Sequence, residues 1–152
     1  MRLLLCTDMD RTIIPNGPQK EAAGARETFG RFCHQPEVCL VYVTGRHLAL
    51  MQQAIGEYQL PQSGYAITDV GTRIYQHKEH IWHPIAAWEA EIDQDWQIDG
   101  VTLKTEQIYG LLNTVPGLSM QELEKQNAHK ISFYVDLQKW NEQACLKEVK
   151  AR

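Results

Sequence analysis

Two aspartates, Asp8 and Asp10, stand with only Met9 between them, directly after the apolar run Leu3-Leu4-Leu5-Cys6. Acids held this close repel each other, so an apolar strand that ends in such a pair needs a reason. Phosphoryl transfer supplies one. A carboxylate at the carboxyl end of a strand can attack phosphorus and form an aspartyl phosphate. A second carboxyl group then gives a proton to the leaving oxygen and takes one from the attacking water. A turn beginning at Asp8 lets the side chains of Asp8 and Asp10 flank one substrate, and Thr12 can fix that turn by hydrogen bonding to nearby main chain. Two carboxylates and a phosphate together call for a hard cation with oxygen ligands, and magnesium suits that set. Thr44 closes a second apolar run, Val38 to Val43, where its hydroxyl can hold a phosphate oxygen. Gly45 lets the main chain approach closely and offers its N–H, and Arg46 either reaches a phosphate or sits solvated at a helix start.

Such residues work together only if strand ends lie side by side. Arg2 to Asp8 is apolar on both faces, which predicts a central strand of a parallel sheet with Cys6 as a small buried hydrophobe. The turn-rich segment Pro15–Pro18 precedes a predicted helix over Gln19–Cys33. A second strand ends at Thr44, a second helix is predicted over His47–Tyr58, and a third strand over Tyr65–Thr68. Strand, helix, strand, helix, strand implies right-handed crossovers and a doubly wound α/β sheet. Ligands of such sheets bind beyond the carboxyl ends of the strands, where Asp8, Thr44 and Asp69 all fall.

The pattern changes after Gly71. Arg73 to His83 predicts two short strands around a polar turn at His77–Glu79. Pro84 suits a first helical position, and Trp88, Ile92 and Trp96 then recur on one helical face, as core residues or as a sugar-stacking stripe. Another helix is predicted over Thr105–Asn113, an alternating strand over Lys130–Val135, and a helical pattern to the end of the chain. His77, His80 and His83 raise the question of zinc, but neighbouring members of a hairpin face opposite sides, and a polar surface turn is the plainer reading. Asp69 and Thr72 can contact substrate hydroxyls or only shape the turn at Gly71.

With 152 residues the chain can bury a sizeable core, and its charge of -4 argues against a nucleic-acid partner. No apolar run approaches membrane-spanning length. The four cysteines form no CxxC pair, and the N-terminus shows no cleavage signal, so a reducing, cytoplasmic setting is expected; a Cys33–Cys39 disulfide is the competing reading.

The segment DMDRT, Asp8–Thr12, resembles the DxDxT signature of the haloacid dehalogenase-like superfamily of phosphohydrolases, and VYVTGR, Val41–Arg46, resembles its second motif. The segments AITDVGTRIY and HKISFYVD resemble the sucrose-phosphate phosphatase branch. The resemblance covers nearly the whole chain. It implies a partial Rossmann-like parallel sheet core over residues 1–73 and an inserted α/β cap over 74–152, the cap being incomplete. It implies Asp8 as nucleophile, Asp10 as general acid and base, and Thr44 as phosphate ligand. It implies magnesium on the Asp8 carboxylate and the Asp10 main-chain carbonyl. Lys130 can reach a substrate from the cap or stand exposed on its strand. Sucrose 6-phosphate is the favoured substrate among sugar phosphate monoesters.

The superfamily's third motif, a Lys, and its fourth, an acidic GDxxND-like cluster, have no counterpart in these 152 residues. The expectation is therefore a truncated chain, weak or inactive alone. Its exposed core surface would invite association. The rival from another class is a non-catalytic module that binds sugar phosphate or regulates an attached synthase.

Overall fold

A computed structural model of the chain describes residues 2–18, 20–98, 100–102 and 104–152. Met1–Ala90 and Glu91–Arg152 form two compact units.

The first unit is built on a five-stranded sheet. Strands β1 (Leu3–Thr7), β2 (Val38–Val43) and β3 (Tyr65–Thr68) run parallel, and β4 (Arg73–Lys78) and β5 (Ile81–Pro84) continue the sheet antiparallel in the order β1-β2-β3-β4-β5. Helix α1 (Ala25–Cys33) joins β1 to β2 and α2 (Leu48–Glu57) joins β2 to β3. Leu5 pairs with Leu40, and Tyr42 with Ala66, so these four share one face of the sheet. They form one core with Phe29 and Cys33 of α1 and with Leu48, Met51, Ala54 and Ile55 of α2. Both helices thus pack on the same face. The expected doubly wound arrangement is single-sided here, because strand order 1-2-3 with crossovers of one hand returns each helix to the same side.

The strand expected at the centre is an edge strand. Leu3 is 46% and Leu4 63% exposed, and Cys6 is exposed rather than buried. An all-apolar run states which side chains tolerate burial, not where the strand stands in the sheet. All four cysteines are free thiols, Cys33 and Cys39 included.

Helix α1 starts six residues later than its pattern suggests. Gly24 at its N-cap has φ 74°, a left-handed turn that a helix cannot run through; Gln19, where the helix was expected to begin, lies outside the described residues. Strands β4 and β5 form a hairpin whose turn residues Glu79 and His80 both have positive φ, 51° and 65°. Pro84 ends β5 and does not open a helix, and the next helix, α3, runs Ala86–Asp95. Trp88 donates its indole N–H to the Gly71 carbonyl at 2.9 Å, whereas Trp96 lies past the end of α3. Trp96, one residue past the helix end, still donates its main-chain N–H to the Ile92 carbonyl at 2.9 Å and so closes the last helical turn.

The second unit contains a two-stranded pair β6 (Gln97–Ile98) and β7 (Val101–Thr102), helix α4 (Thr105–Leu112), a pair β8 (Leu118–Met120) and β9 (Phe133–Val135), and helix α5 (Glu142–Lys150). Asn141 caps α5, its side chain accepting the Ala144 N–H at 2.8 Å. Neither β6–β7 nor β8 is signalled by alternation, because two- and three-residue strands are too short to show a period. The strand expected over Lys130–Val135 shrinks to Phe133–Val135. Lys130 instead closes a turn with Asn127 through paired main-chain bonds of 3.0 and 3.3 Å. His129 beside it is buried, with Nε2 2.6 Å from Asp93 Oδ1 and its ring edge-on to Trp96. No helix among the described residues is long and apolar enough to cross a membrane.

Candidate functional site

The parallel pairing of β1 with β2 aligns Thr7 with Tyr42, which brings the residues just beyond both strands, Asp8 and Thr44, to the same end of the sheet. The chain after β1 does not continue straight. The Met9 carbonyl accepts the N–H groups of Thr12, Ile13 and Ile14 at 3.3, 3.1 and 2.8 Å, winding a tight loop around itself. Met9 and Ile14 are fully buried and pin that loop to the core, so Asp8 and Asp10 on either side of Met9 stay at the surface. Arg11 takes the strain of the turn with φ 59°.

Asp8 is exposed, and one of its oxygens, Oδ2, accepts the Thr12 hydroxyl at 3.1 Å. The Thr12 hydroxyl, expected on nearby main chain, bonds the carboxylate itself instead. Asp10 is held far more firmly. Arg46 donates Nε to Oδ2 at 2.9 Å and Nη2 to Oδ1 at 2.7 Å, and Asn16 donates Nδ2 to Oδ1 at 2.6 Å. The hydrogen bonds from Arg46 hold the Asp10 carboxyl below its ordinary 3.8; partial burial opposes them, and Asn16 adds to them. Arg46 is pushed up in turn by Asp10. Arg46 therefore faces a carboxylate, and Asn16 is a member of the site that the sequence showed only as a turn residue.

Thr44 is 4% exposed. Its N–H bonds to the Ile67 carbonyl at 2.8 Å, its carbonyl accepts from Val70 at 3.3 Å, and its hydroxyl accepts the Arg46 N–H at 3.2 Å. The Arg46 carbonyl accepts from Asp69 at 2.9 Å, so the third strand end braces the second. Asp69 and Val70 both take positive φ, 54° and 61°, in the short 3-10 turn Asp69–Gly71, and Asp69 is buried with Oδ2 accepting from Thr68. A Cβ added at Gly45 would meet only Val70, at an ordinary 3.8 Å. The fold therefore does not require glycine there, and the exposed main chain at that point is open to approach.

The structure thus gathers Asp8, Asp10, Thr44, Gly45 and Arg46 at one end of one sheet. Lys130 belongs to the other unit. His77 lies 6.4 Å from His80 and 4.8 Å from Trp82, ring to ring, on the hairpin. No group of three His, Cys, Asp or Glu able to hold a metal ion occurs among the described residues.

The pair of Asp10 and Arg46 carries a pH signature. A carboxyl held below its unfolded value stabilises the fold above that value and loses this contribution as pH falls through the folded one. The Asp10 side chain is 40% exposed, so the pair is worth about 0–1 kcal/mol. Arg46→Met should therefore flatten the loss of stability below about pH 4, read as the urea midpoint against pH. A variant whose midpoint falls as steeply as the wild type's would show that the pair contributes nothing.

Comparison with known proteins gives the family of the chain. The family described as sucrose-6F-phosphate phosphohydrolase matches residues 1–152. A HAD-like hydrolase of Nitrosococcus oceani is 46% identical over 133 residues, 88% of this chain and 35% of that protein. Sucrose-phosphatase 2 of Nicotiana tabacum is 27% identical over 139 residues, 91% of this chain and 31% of that protein. The crystal structure of the sucrose-phosphatase from Synechocystis sp. PCC6803, in complex with sucrose and phosphate, superposes with a TM-score of 0.78 at 22% identity, over 99% of this chain and 55% of that one. The chain spans about a third of the length of these curated relatives.

Proposed function

The chain belongs to the sucrose-6F-phosphate phosphohydrolase family, within the HAD-like hydrolases, and from that premise we propose that its 152 residues carry the nucleophile-bearing part of a magnesium-dependent sugar-phosphate phosphatase. The observation that carries this reading is the meeting of the Asp8 turn and Thr44 at adjacent parallel strand ends, cross-linked by Arg46 and Asp10.

Asp8 is the nucleophile. It is exposed, and its carboxylate is aimed by a single hydroxyl, that of Thr12, so an oxygen is left to attack phosphorus. The P–O bond to the sugar breaks, the sugar oxygen takes its proton from Asp10, and the phosphoryl group stays on Asp8. Asp10 then takes a proton from water as that water attacks the aspartyl phosphate, which returns Asp8 and releases phosphate. The Thr44 hydroxyl, which accepts from the Arg46 N–H, keeps its own proton to donate to the phosphate, and the Gly45 N–H contributes beside it.

The donor set suits magnesium. The Asp8 carboxylate and the Asp10 main-chain carbonyl would hold it, and this sparse set matches an ion that keeps several waters and takes substrate phosphate oxygens. When bound, it neutralises the charge gathered between phosphate and carboxylates.

Residues 1–73 are the core of this reading and 74–152 its cap, which carries Lys130, with the β4–β5 hairpin of that cap continuing the core sheet. Sucrose 6-phosphate is the favoured substrate, supported by the sucrose-phosphatase relatives. Neither a third-motif Lys nor a GDxxND-like cluster lies within the 152 residues, so turnover by these residues alone is slow. The test is phosphate release from sucrose 6-phosphate and a panel of other sugar phosphates, with magnesium and with a chelator. Release above a protein-free blank that disappears with the chelator supports the reading. Release no greater than the blank's from every sugar phosphate overturns turnover by these residues alone.

The uncovered edge of β1 is a further consequence. Unpaired strand edges with exposed Leu3 and Leu4 favour association between molecules. Leu4→Lys should lower the apparent mass in sedimentation at high concentration; an unchanged distribution would show that this edge plays no part.

A further inference from the structure

Resting on the phosphatase reading, we propose that Arg46 is the positioning residue of Asp10: its fork holds the carboxylate and releases it when a phosphate group takes the fork in its place. The geometry of the resting pair requires such a step. Arg46 Nε and Nη2 and Asn16 Nδ2 together occupy both oxygens of Asp10, at 2.9, 2.7 and 2.6 Å. A carboxylate gripped by three N–H donors has no proton to give and no free oxygen aimed at a leaving group. Asp10 must leave this grip before it can act on a sugar oxygen.

Arg46 is built to let it go. Its main chain is fixed on both sides, with the N–H on the Thr44 hydroxyl at 3.2 Å and the carbonyl on the Asp69 N–H at 2.9 Å. Its long side chain is not confined in the same way. The Arg46 and Asp10 side chains are 25% and 40% exposed, so the pair lies at the open side of the site and not in the core. A guanidinium fork fits the oxygens of a phosphate as it fits those of a carboxylate, and the phosphate carries more charge. A phosphate ester arriving beside Thr44 and Gly45, next to Arg46 in the chain, therefore offers the fork a better partner. Binding of substrate and release of the acid become one event. A proton donor that is free only when substrate is present also leaves the Asp8 turn less open to idle chemistry with water.

A plain cross-link between two strand ends would show the same resting contact, so the experiment separates the two. The first arm needs no ligand and no turnover. The Arg46 Nε–H resonance is recorded in nitrogen-15 spectra of the wild type and of Asp10→Asn; a clear shift is expected, and an unmoved resonance overturns the resting pair. The second arm titrates inorganic phosphate with magnesium chloride into the wild type, Asp10→Asn, Arg46→Ala and the double variant. Freed from Asp10, Arg46 should raise phosphate affinity about tenfold in Asp10→Asn, whereas the same change in the Arg46→Ala background should raise it by twofold or less. An equal gain in both backgrounds means that Asp10 acts only by charge repulsion, and overturns the hand-over. Arg46→Lys, which keeps the charge and loses the fork, should recover only a small part of the affinity lost in Arg46→Ala; full recovery by Lys would also overturn it. If no protein of the four binds phosphate, the phosphatase reading fails and the hand-over with it, while the first arm still decides the resting pair.

Discussion

Asp8→Asn is expected to leave the protein folded and to remove its ability to take a phosphoryl group. The replacement keeps the size of the side chain and an oxygen that can accept the Thr12 hydroxyl, which reaches Asp8 Oδ2 at 3.1 Å. Asp8 is exposed, so no buried partner is left unpaired. The stability change should stay within about 0.5 kcal/mol, as for surface substitutions in general. The chemistry is different in kind, because an amide oxygen does not form the acyl phosphate on which both half-reactions of the proposed mechanism depend. Loss of a nucleophile that acts as part of a unit costs on the order of a thousandfold or more. A single-turnover readout suits the slow turnover proposed above. With a radiolabelled sugar phosphate and acid quench, the wild type should carry label on the chain and Asp8→Asn none, at equal urea midpoints. Equal labelling of the two proteins would remove Asp8 from the reaction. Loss of label together with a large fall in midpoint would point to a structural role.

The parts of this site that the sequence disclosed are those whose signal is local. Asp8 and Asp10 stand out because two acids follow an apolar strand, and Thr44-Gly45 stands out because it closes another. The Tyr65–Thr68 strand and the hairpin after it were legible for the same reason: alternation and turn residues are written in short windows. What escaped is what depends on packing between distant segments. Arg46 was a phosphate ligand or a solvated helix-start residue on sequence grounds, and its actual partner, Asp10, lies 36 positions away. Asn16, six positions from Asp10, looked like the polar middle of a turn. The edge position of β1 was hidden because hydropathy describes side chains and says nothing of which neighbour a strand lacks. Lys130 was misplaced onto a strand because His129 to Val135 alternates well enough, while the side chain of Gln126, bonded to the main chain of Ser132 in both directions, bends that segment away from regular pairing.

The largest effect on stability should come from Tyr42, and its position ties the core to the site. Tyr42 is fully buried in β2, pairs with Thr7 on one side and Ala66 on the other, and donates its hydroxyl to the Pro61 carbonyl at 2.7 Å. Burial raises the phenol well above its ordinary value, so the proton stays on the oxygen that makes this bond. Tyr42→Ala should cost about 3–5 kcal/mol, the usual loss for truncating a buried aromatic side chain. That is a large share of the roughly 5–15 kcal/mol that holds a typical domain together. Tyr42→Phe keeps the ring and leaves only the Pro61 carbonyl without its donor, for about 1–2 kcal/mol. The two variants separate packing from chemistry because Tyr42 lies two residues before Thr44 and beside the residue that precedes Asp8. With the ring present, the ends of β1 and β2 stay in register, and Tyr42→Phe should bind inorganic phosphate within twofold of the wild type. With the ring gone, the ends of β1 and β2 lose the largest fully buried side chain of the core that holds them against the helices, and Tyr42→Ala should lose phosphate binding even under conditions where circular dichroism still reports folded chains. Urea midpoints followed by phosphate titration on the same samples check both statements. A Tyr42→Ala protein with an unchanged midpoint would mean that the core is held elsewhere. One that binds phosphate normally despite a lowered midpoint would mean that the site's geometry is set by the Met9 loop alone, whose three main-chain bonds do not pass through Tyr42.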